Sequence, residues 1–167
     1  HAPLPFASQH VPGTGVTRLL VLENLATYTS FLTAARELPA DGRPDLHIAW
    51  GHGEEFTRSV LSVPMLVPRP ERVYYFGDLD RAGLRIAVGS AAAAAEHGLP
   101  AVRPAAAYYA HLLAGGPAWH RPDTSNPSTS ADHGALSAWL PSGMRSAVED
   151  LLSGRRRIPQ ERLGLDA

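Results

Sequence analysis

Three carboxylates stand out for where they fall. Glu23 directly follows the apolar run 16–22, and Asp78 and Asp80 follow the run 73–76 across Gly77. Both runs read as strands buried on both faces. In open α/β sheets, ligands gather beyond the carboxyl ends of the strands. Side chains two apart on extended chain point the same way, so Asp78 and Asp80 can converge on one ion. Glu23 joins them if the first and third strands are neighbours. Three carboxylates in one cleft repel each other unless a hard cation lies between them. Oxygen-only ligands favour Mg²⁺ or Mn²⁺, as one or two ions. A plainer reading stays open beside this one: Asp80 as the N-cap of the next helix, and Glu23 as a solvated strand-end residue.

Composition narrows the chemistry in the same direction. The chain has 167 residues; all 15 basic residues are arginine, and there is no lysine or cysteine. That excludes Schiff-base catalysis, a P-loop lysine, thiolate nucleophiles, iron–sulfur clusters, cysteine zinc sites and disulfides. His47, His97, His111, His120 and His133 lack metal-ligand spacing, and no H-E-x-x-H occurs. The net charge of −1 gives no global pull toward nucleic acid, so any DNA contact must be local. No apolar run reaches the ~20 residues of a membrane span; no membrane association and a cytoplasmic setting are expected. The start, HAPLPFASQH, has no initiator Met and no charged n-region, and reads as a tag remnant or a cut point in a longer chain.

The elements that must position the acids alternate. Residues 1–15 read as an extended lead-in rich in Pro and Gly. A first strand over 16–22 is followed by a helix capped by Asn24, with Leu25, Tyr28, Phe31, Leu32 and Ala35 at helical spacing. A second strand over 46–50 leads into Gly51-His52-Gly53 and a helix over 54–63. The third strand, 73–76, leads into a long helix from Arg81, ended by Gly98 and Pro100. A short strand over 101–103 and a helix over 108–113 complete the alternation. The pattern predicts an α/β fold, with about four mainly parallel strands flanked by helices. Residues 115–134 read as a flexible loop, and 135–167 as a helical extension ending in a Gln160-Glu161-Arg162 tail.

Four blocks, in order, resemble the Toprim fold, a Rossmann-like arrangement. They are Glu23-Asn24-Leu25-Ala26-Thr27, Trp50-Gly51-His52-Gly53, Gly77-Asp78-Leu79-Asp80-Arg81-Ala82-Gly83 and Gln160-Glu161-Arg162. The nearest resemblance is to the carboxyl-terminal Toprim domain of the JetD family, topoisomerase VI-like nuclease subunits of Wadjet plasmid-defence systems. It places the Toprim core at 16–114 and leaves the 115–134 loop unmatched. The resemblance implies Mg²⁺-dependent cleavage of double-stranded DNA, SMC-type defence-complex partners and a possible homodimer. Carried over by position, Glu23 is a metal ligand or general acid/base, and Asp78 and Asp80 hold the metal. Glu161 is either a further catalytic acid or a structural ion-pair partner. In the related enzymes a separate winged-helix-like domain supplies a nucleophilic tyrosine, and nothing within these 167 residues looks like that domain. Tyr28, Tyr74, Tyr75, Tyr108 and Tyr109 read as core residues, which favours hydrolysis over a covalent tyrosyl intermediate.

Further DNA contacts are expected from arginine. Arg155, Arg156, Arg157 and Arg162 form the densest positive run, and guanidinium forks suit phosphates. Arg81 and Arg85 lie just past the D-x-D; they reach a phosphate or balance the carboxylates. His52, between two glycines, sits on the expected site rim. Two other functions compete. A haloacid-dehalogenase-like phosphatase also uses D-x-D, but after its first strand rather than its third. A non-catalytic domain would use the acids for weak metal binding and its surface for docking within a DNA-processing complex. A nicotinamide-binding domain is disfavoured, because the first strand-to-helix turn lacks G-x-G-x-x-G.

Overall fold

A computed structural model describes residues 5–165. Its centre is a five-stranded sheet in the order β1-β3-β2-β4-β5. The strands are β1 (Ala7–Val11), β2 (Thr14–Leu22), β3 (Pro44–Trp50), β4 (Arg72–Phe76) and β5 (Val102–Pro104). β2, β3, β4 and β5 are parallel, and β1 runs antiparallel along β3 at the edge. The helices are α1 (Leu25–Glu37), α2 (Phe56–Ser59), α3 (Arg81–Glu96), α4 (Ala106–Ala114), α5 (Ser130–Ser137), α6 (Ser142–Ser153) and α7 (Arg162–Leu165). The expected α/β architecture is therefore present, Rossmann-like and mostly parallel, with one strand more than the four expected.

Strand alternation divides the core between the two sheet faces. Leu20, Leu22, Ile48 and Phe76 pack with Tyr109 and Leu112 of α4 and, further out, Leu140 and Val148. Leu19, Val21, Ala49, Val73 and Tyr75 pack on the other face against Phe56, Ile86 and Ala87. Both sets are apolar because helices cover both faces.

Three local features depart from the expected elements. The lead-in contains β1, fixed to β3 by cross-strand pairing of His10 with His47. Asp45 locks this corner: it accepts from the Gly13 amide at 3.1 Å and the Thr17 hydroxyl at 2.6 Å, and pairs with His10 at 2.9 Å. The helix expected over 54–63 is broken into a 3₁₀ turn, the single turn α2 and a second 3₁₀ segment over Val60–Met65. Val60, Val63 and the internal Pro64 disfavour a continuous α-helix there. Finally, α5 begins at Ser130, inside the segment read as loop, because Thr129 and Asp132 cap each other reciprocally.

The loop before α5 is tied to the tail. Arg121–Pro122 (β6) pairs antiparallel with Arg156–Arg157 (β7). The tail then makes a bridge between Ile158 and Leu79, with amide–carbonyl bonds of 3.0 and 3.1 Å. No helix among the described residues is long and apolar enough to cross a membrane.

Candidate metal-binding acid cluster

The first and third strands expected from sequence are β2 and β4, and they are neighbours. The chain passes from β2 out to β3 on one side, then returns to β4 on the other. That reversal opens the crevice in which α/β sheets bind ligands. Val21 lies beside Tyr75 and Leu22 beside Phe76, so Glu23 and Gly77 fall next to each other, one step past the ladder.

Glu23 extends the face carrying Leu19 and Val21, which is also the face of Val73 and Tyr75. Its Oε2 accepts the Tyr75 hydroxyl and the Asp78 amide, both at 3.1 Å. Gly77 is a glycine for a steric reason: a Cβ there would collide with Glu23 Oε2 and crowd the Tyr75 hydroxyl. Its amide donates to the buried Tyr109 hydroxyl at 3.0 Å. Gly83 has a matching role one turn into α3, where a Cβ would strike the Asp78 carbonyl oxygen. The glycines of G-D-x-D-x-x-G thus make room for the acids' own atoms.

Asp78 Oδ1 accepts the Gln160 amide at 2.7 Å, and Oδ2 lies 3.4 Å from an Arg157 Nη. Asp80 is buried, and its Oδ1 accepts the Gly83 amide at 2.7 Å. Asp80 is therefore the N-cap of α3, as the plainer reading of the sequence allowed. That role does not remove it from the cluster, because its charge is felt at both Glu23 and Asp78.

The electrostatics follow from burial of like charges. Burial, then repulsion from Asp78, pushes Glu23 up to about 7, against the Asp78 amide and Tyr75 hydroxyl that favour its ionised form. Burial also pushes Asp78 up to about 6; the Gln160 amide and Arg157 oppose the rise, and Asp80 adds to it. Asp80 is raised by burial against its helix-cap bonds. Burial and the neighbouring carboxylate keep the Tyr75 hydroxyl protonated well past its ordinary range.

This donor set suits a hard cation: it is all oxygen, partly desolvated and mutually repulsive. The side chains are not drawn into a cage. Among the described residues, no group of three or more His, Asp or Glu side chains is gathered closely enough to hold an ion.

The Gln160-Glu161-Arg162 block closes the crevice. Gln160 is fully buried; its Oε1 accepts the Asn24 amide at 2.9 Å and its Nε2 donates to the Phe76 carbonyl at 2.6 Å. It joins the ends of β2 and β4. Glu161 accepts from Asn24 Nδ2 at 2.6 Å, while Asn24 Oδ1 caps α1 through the Ala26 and Thr27 amides. Trp50 adds a bond from its indole to the Glu23 carbonyl at 3.0 Å. His52 packs against Trp50 with the rings tilted and their centroids 4.3 Å apart; it is exposed, pairs with Glu55 at 2.8 Å, and adopts a left-handed φ of 54°.

The expected arginines part ways. Arg157 alone among them forms an ion pair with one of the three acids among the described residues. Arg81 turns to the loop, donating to the Asn126 carbonyl at 3.2 Å, and Arg155 donates to the Ser125 carbonyl at 2.8 Å. Arg85 and Arg156 are exposed, and Arg162 opens α7 half-buried. Sequence reading placed Tyr75 and Tyr109 in the core, where they are, but missed that their hydroxyls organise Glu23 and Gly77. The available signal was spacing: Tyr75 is two residues before Gly77, on the face that Glu23 continues.

No curated protein and no solved structure matches the chain. A family model described as "Wadjet protein JetD, C-terminal" matches residues 4–167. The chain belongs to the family of the C-terminal region of the Wadjet protein JetD.

Proposed function

We propose that this domain is a Toprim-type, metal-dependent DNA endonuclease of an anti-plasmid defence complex, hydrolysing phosphodiester bonds beside Glu23, Asp78 and Asp80. The observation that carries the reading is the grouping of buried Asp80 with half-buried, mutually repelling Glu23 and Asp78 at the ends of neighbouring strands, in a JetD-family chain. The three acids would hold Mg²⁺ or Mn²⁺, which when bound neutralises phosphate charge and makes an attacking water more acidic. Glu23 supplies acid–base chemistry. That role is the alternative to ligating the ion. Raised to about 7 without metal, a Glu23 left off the ion exchanges a proton near neutrality, where a general base is most effective. Ligation would instead hold it ionised. Its Oε2 already receives two donors, so the proton belongs on Oε1. Tyr75 and Gly77 orient the carboxylate, and Gln160 and Arg157 orient Asp78. Glu161 positions Asn24 rather than the reacting atoms. Double-stranded DNA is the substrate and SMC-type subunits the expected partners. The test is plasmid cleavage by the assembled complex with Mg²⁺ or Mn²⁺: Asp78→Ala and Asp80→Ala should each abolish it. Undiminished cleavage by both variants would overturn the proposal.

A second reading has its own observation. Asp78 is paired with Arg157 and Asp80 is spent on a helix cap, as suits a docking domain with no catalytic ion. Calorimetric titration with Mn²⁺ separates the two, since the docking role predicts no heat at millimolar metal.

A further inference from the structure

Next to the acid cluster lies a polar cavity that the proposed chemistry does not use. It has a volume of about 150 Å³ and lies between the loop 123–128, the start of α3 and the end of α6. That is too small for a nucleoside and large enough for one phosphate group.

Its lining is unusual for a loop anchor. Arg81 and Arg155 both border it, each holding the loop by one bond to a backbone carbonyl. Each guanidinium has five N–H donors, so most remain uncommitted by those bonds. Arg81 Nε is buried without a hydrogen-bond partner among the described residues. A buried donor left unpaired costs free energy that an incoming acceptor would recover. Neither arginine forms an ion pair with a carboxylate among the described residues. Ser125, Ser128 and Ser153 bring hydroxyls to the same cavity. The buried His133 fixes two of them, with Ser128 Oγ at 2.6 Å and Ser153 Oγ at 3.3 Å. Asp123 also lines the cavity, and its Oδ1 accepts the Ser125 amide at 2.9 Å. Two guanidinium groups line the cavity against one lining carboxylate, with Asp132 also within electrostatic reach of Arg81 from outside the lining.

We infer that this cavity is a phosphate seat, gripped by Arg81 and Arg155 and shaped by the loop serines. Arg81 immediately follows Asp80, so a phosphate here lies beside the acid cluster. A phosphate of a DNA strand and a free phosphate ion share the required chemistry. Seating a DNA phosphate rests on the nuclease reading; seating inorganic phosphate does not.

The test uses the whole chain without metal and follows the arginine Nε–H resonances by NMR. The probes are inorganic phosphate and a 20-base-pair duplex. Arg81→Lys and Arg155→Lys assign the two signals and keep the charge while removing the fork. Inorganic phosphate should shift both signals saturably, and each lysine variant should weaken its binding roughly tenfold. If the DNA backbone supplies the phosphate, duplex shifts the same two signals. Arg81→Ala and Arg155→Ala, which remove the charge, each then lower the slope of log affinity against log salt by about one, while the lysine variants leave it nearly unchanged. A shift with phosphate but no binding of duplex upholds the seat for a free phosphate. Duplex binding that leaves both signals unmoved, with phosphate also inert, overturns the seat and leaves the nuclease reading standing. No response to either probe overturns the seat, and plasmid cleavage by the assembled complex with metal decides the nuclease reading separately. Because the decisive shifts are read on the unaltered chain, poor folding of a variant does not rescue the inference.

Discussion

At Glu23 a proton is held more tightly in the folded chain than in the unfolded one. The ordinary carboxyl value is 4.5 and the folded value about 7. Below 4.5 both states are protonated and folding pays no charge penalty. Between 4.5 and 7 the unfolded state ionises while the folded state keeps its proton, so stability falls as pH rises through that window. The loss is on the order of 3 kcal/mol, and Asp78 acts with the same sign between 3.8 and about 6. His47, lowered chiefly by burial, works oppositely: it resists charging, so stability falls as pH drops below its ordinary 6.5. The clean observable is therefore the difference between wild type and Glu23→Gln in metal-free urea denaturation. The variant should gain stability relative to wild type from pH 4.5 to 7; a constant difference would refute the buried, proton-binding Glu23. Gly77→Ala should cost about 1–3 kcal/mol in the same assay, since its Cβ must displace Glu23 Oε2 or the Tyr75 hydroxyl. The places of Glu23, Asp78 and Asp80 at the ends of neighbouring strands were legible from the order of strands and turns, but their separate partners, Tyr75, Gln160 with Arg157, and the Gly83 amide, were not. The division of labour among the arginines was not. Arg155, Arg156 and Arg157 read as one positive run, yet the backbone at Arg155 is left-handed, with φ 52°, before β7 extends, so consecutive side chains meet different partners.

Among the elements, the tail contributes most to the site. Gln160 occupies both the Asn24 amide and the Phe76 carbonyl. Gln160→Ala strands the Asn24 amide, while the Phe76 carbonyl keeps the Glu23 amide at 3.2 Å, and should cost roughly 1–3 kcal/mol, measured by urea denaturation. A cost below about 1 kcal/mol would mean that water replaces the side chain there. At the opposite edge, Asp45→Ala removes the lock on β1. Hydrogen exchange should then accelerate at β1 amides bonded to β3, while β2 and β4 stay protected. Uniform acceleration would instead mark β1 as part of one cooperative unit with the core. The sequence conveyed the parallel core well, since each of its strands is a short apolar run followed by turn residues. It concealed β1, an edge strand of alternating exposed and half-buried residues ending in buried Val11 and flanked by Pro5 and Pro12. It also concealed the breaks around α2, where apolar spacing suits a helix but the valines and Pro64 do not.

For the molecule as a whole, the proposed function sets protons and cations in competition for one set of oxygens. Ten-millimolar Mg²⁺ should therefore raise the thermal midpoint more at pH 8 than at pH 5.5, read by differential scanning calorimetry. In Asp78→Asn the effect should shrink at both. An equal shift at both pH values would place the ion elsewhere.

The bridge between Leu79 and Ile158 and the bond from Gln160 to Asp78 span about eighty residues of chain. On the ribosome, β2 and β4 emerge long before the segment that fastens them together. A nascent chain therefore carries its acids without the clasp that orients Asp78, and the crevice is completed only when the last turn of the domain clears the exit tunnel.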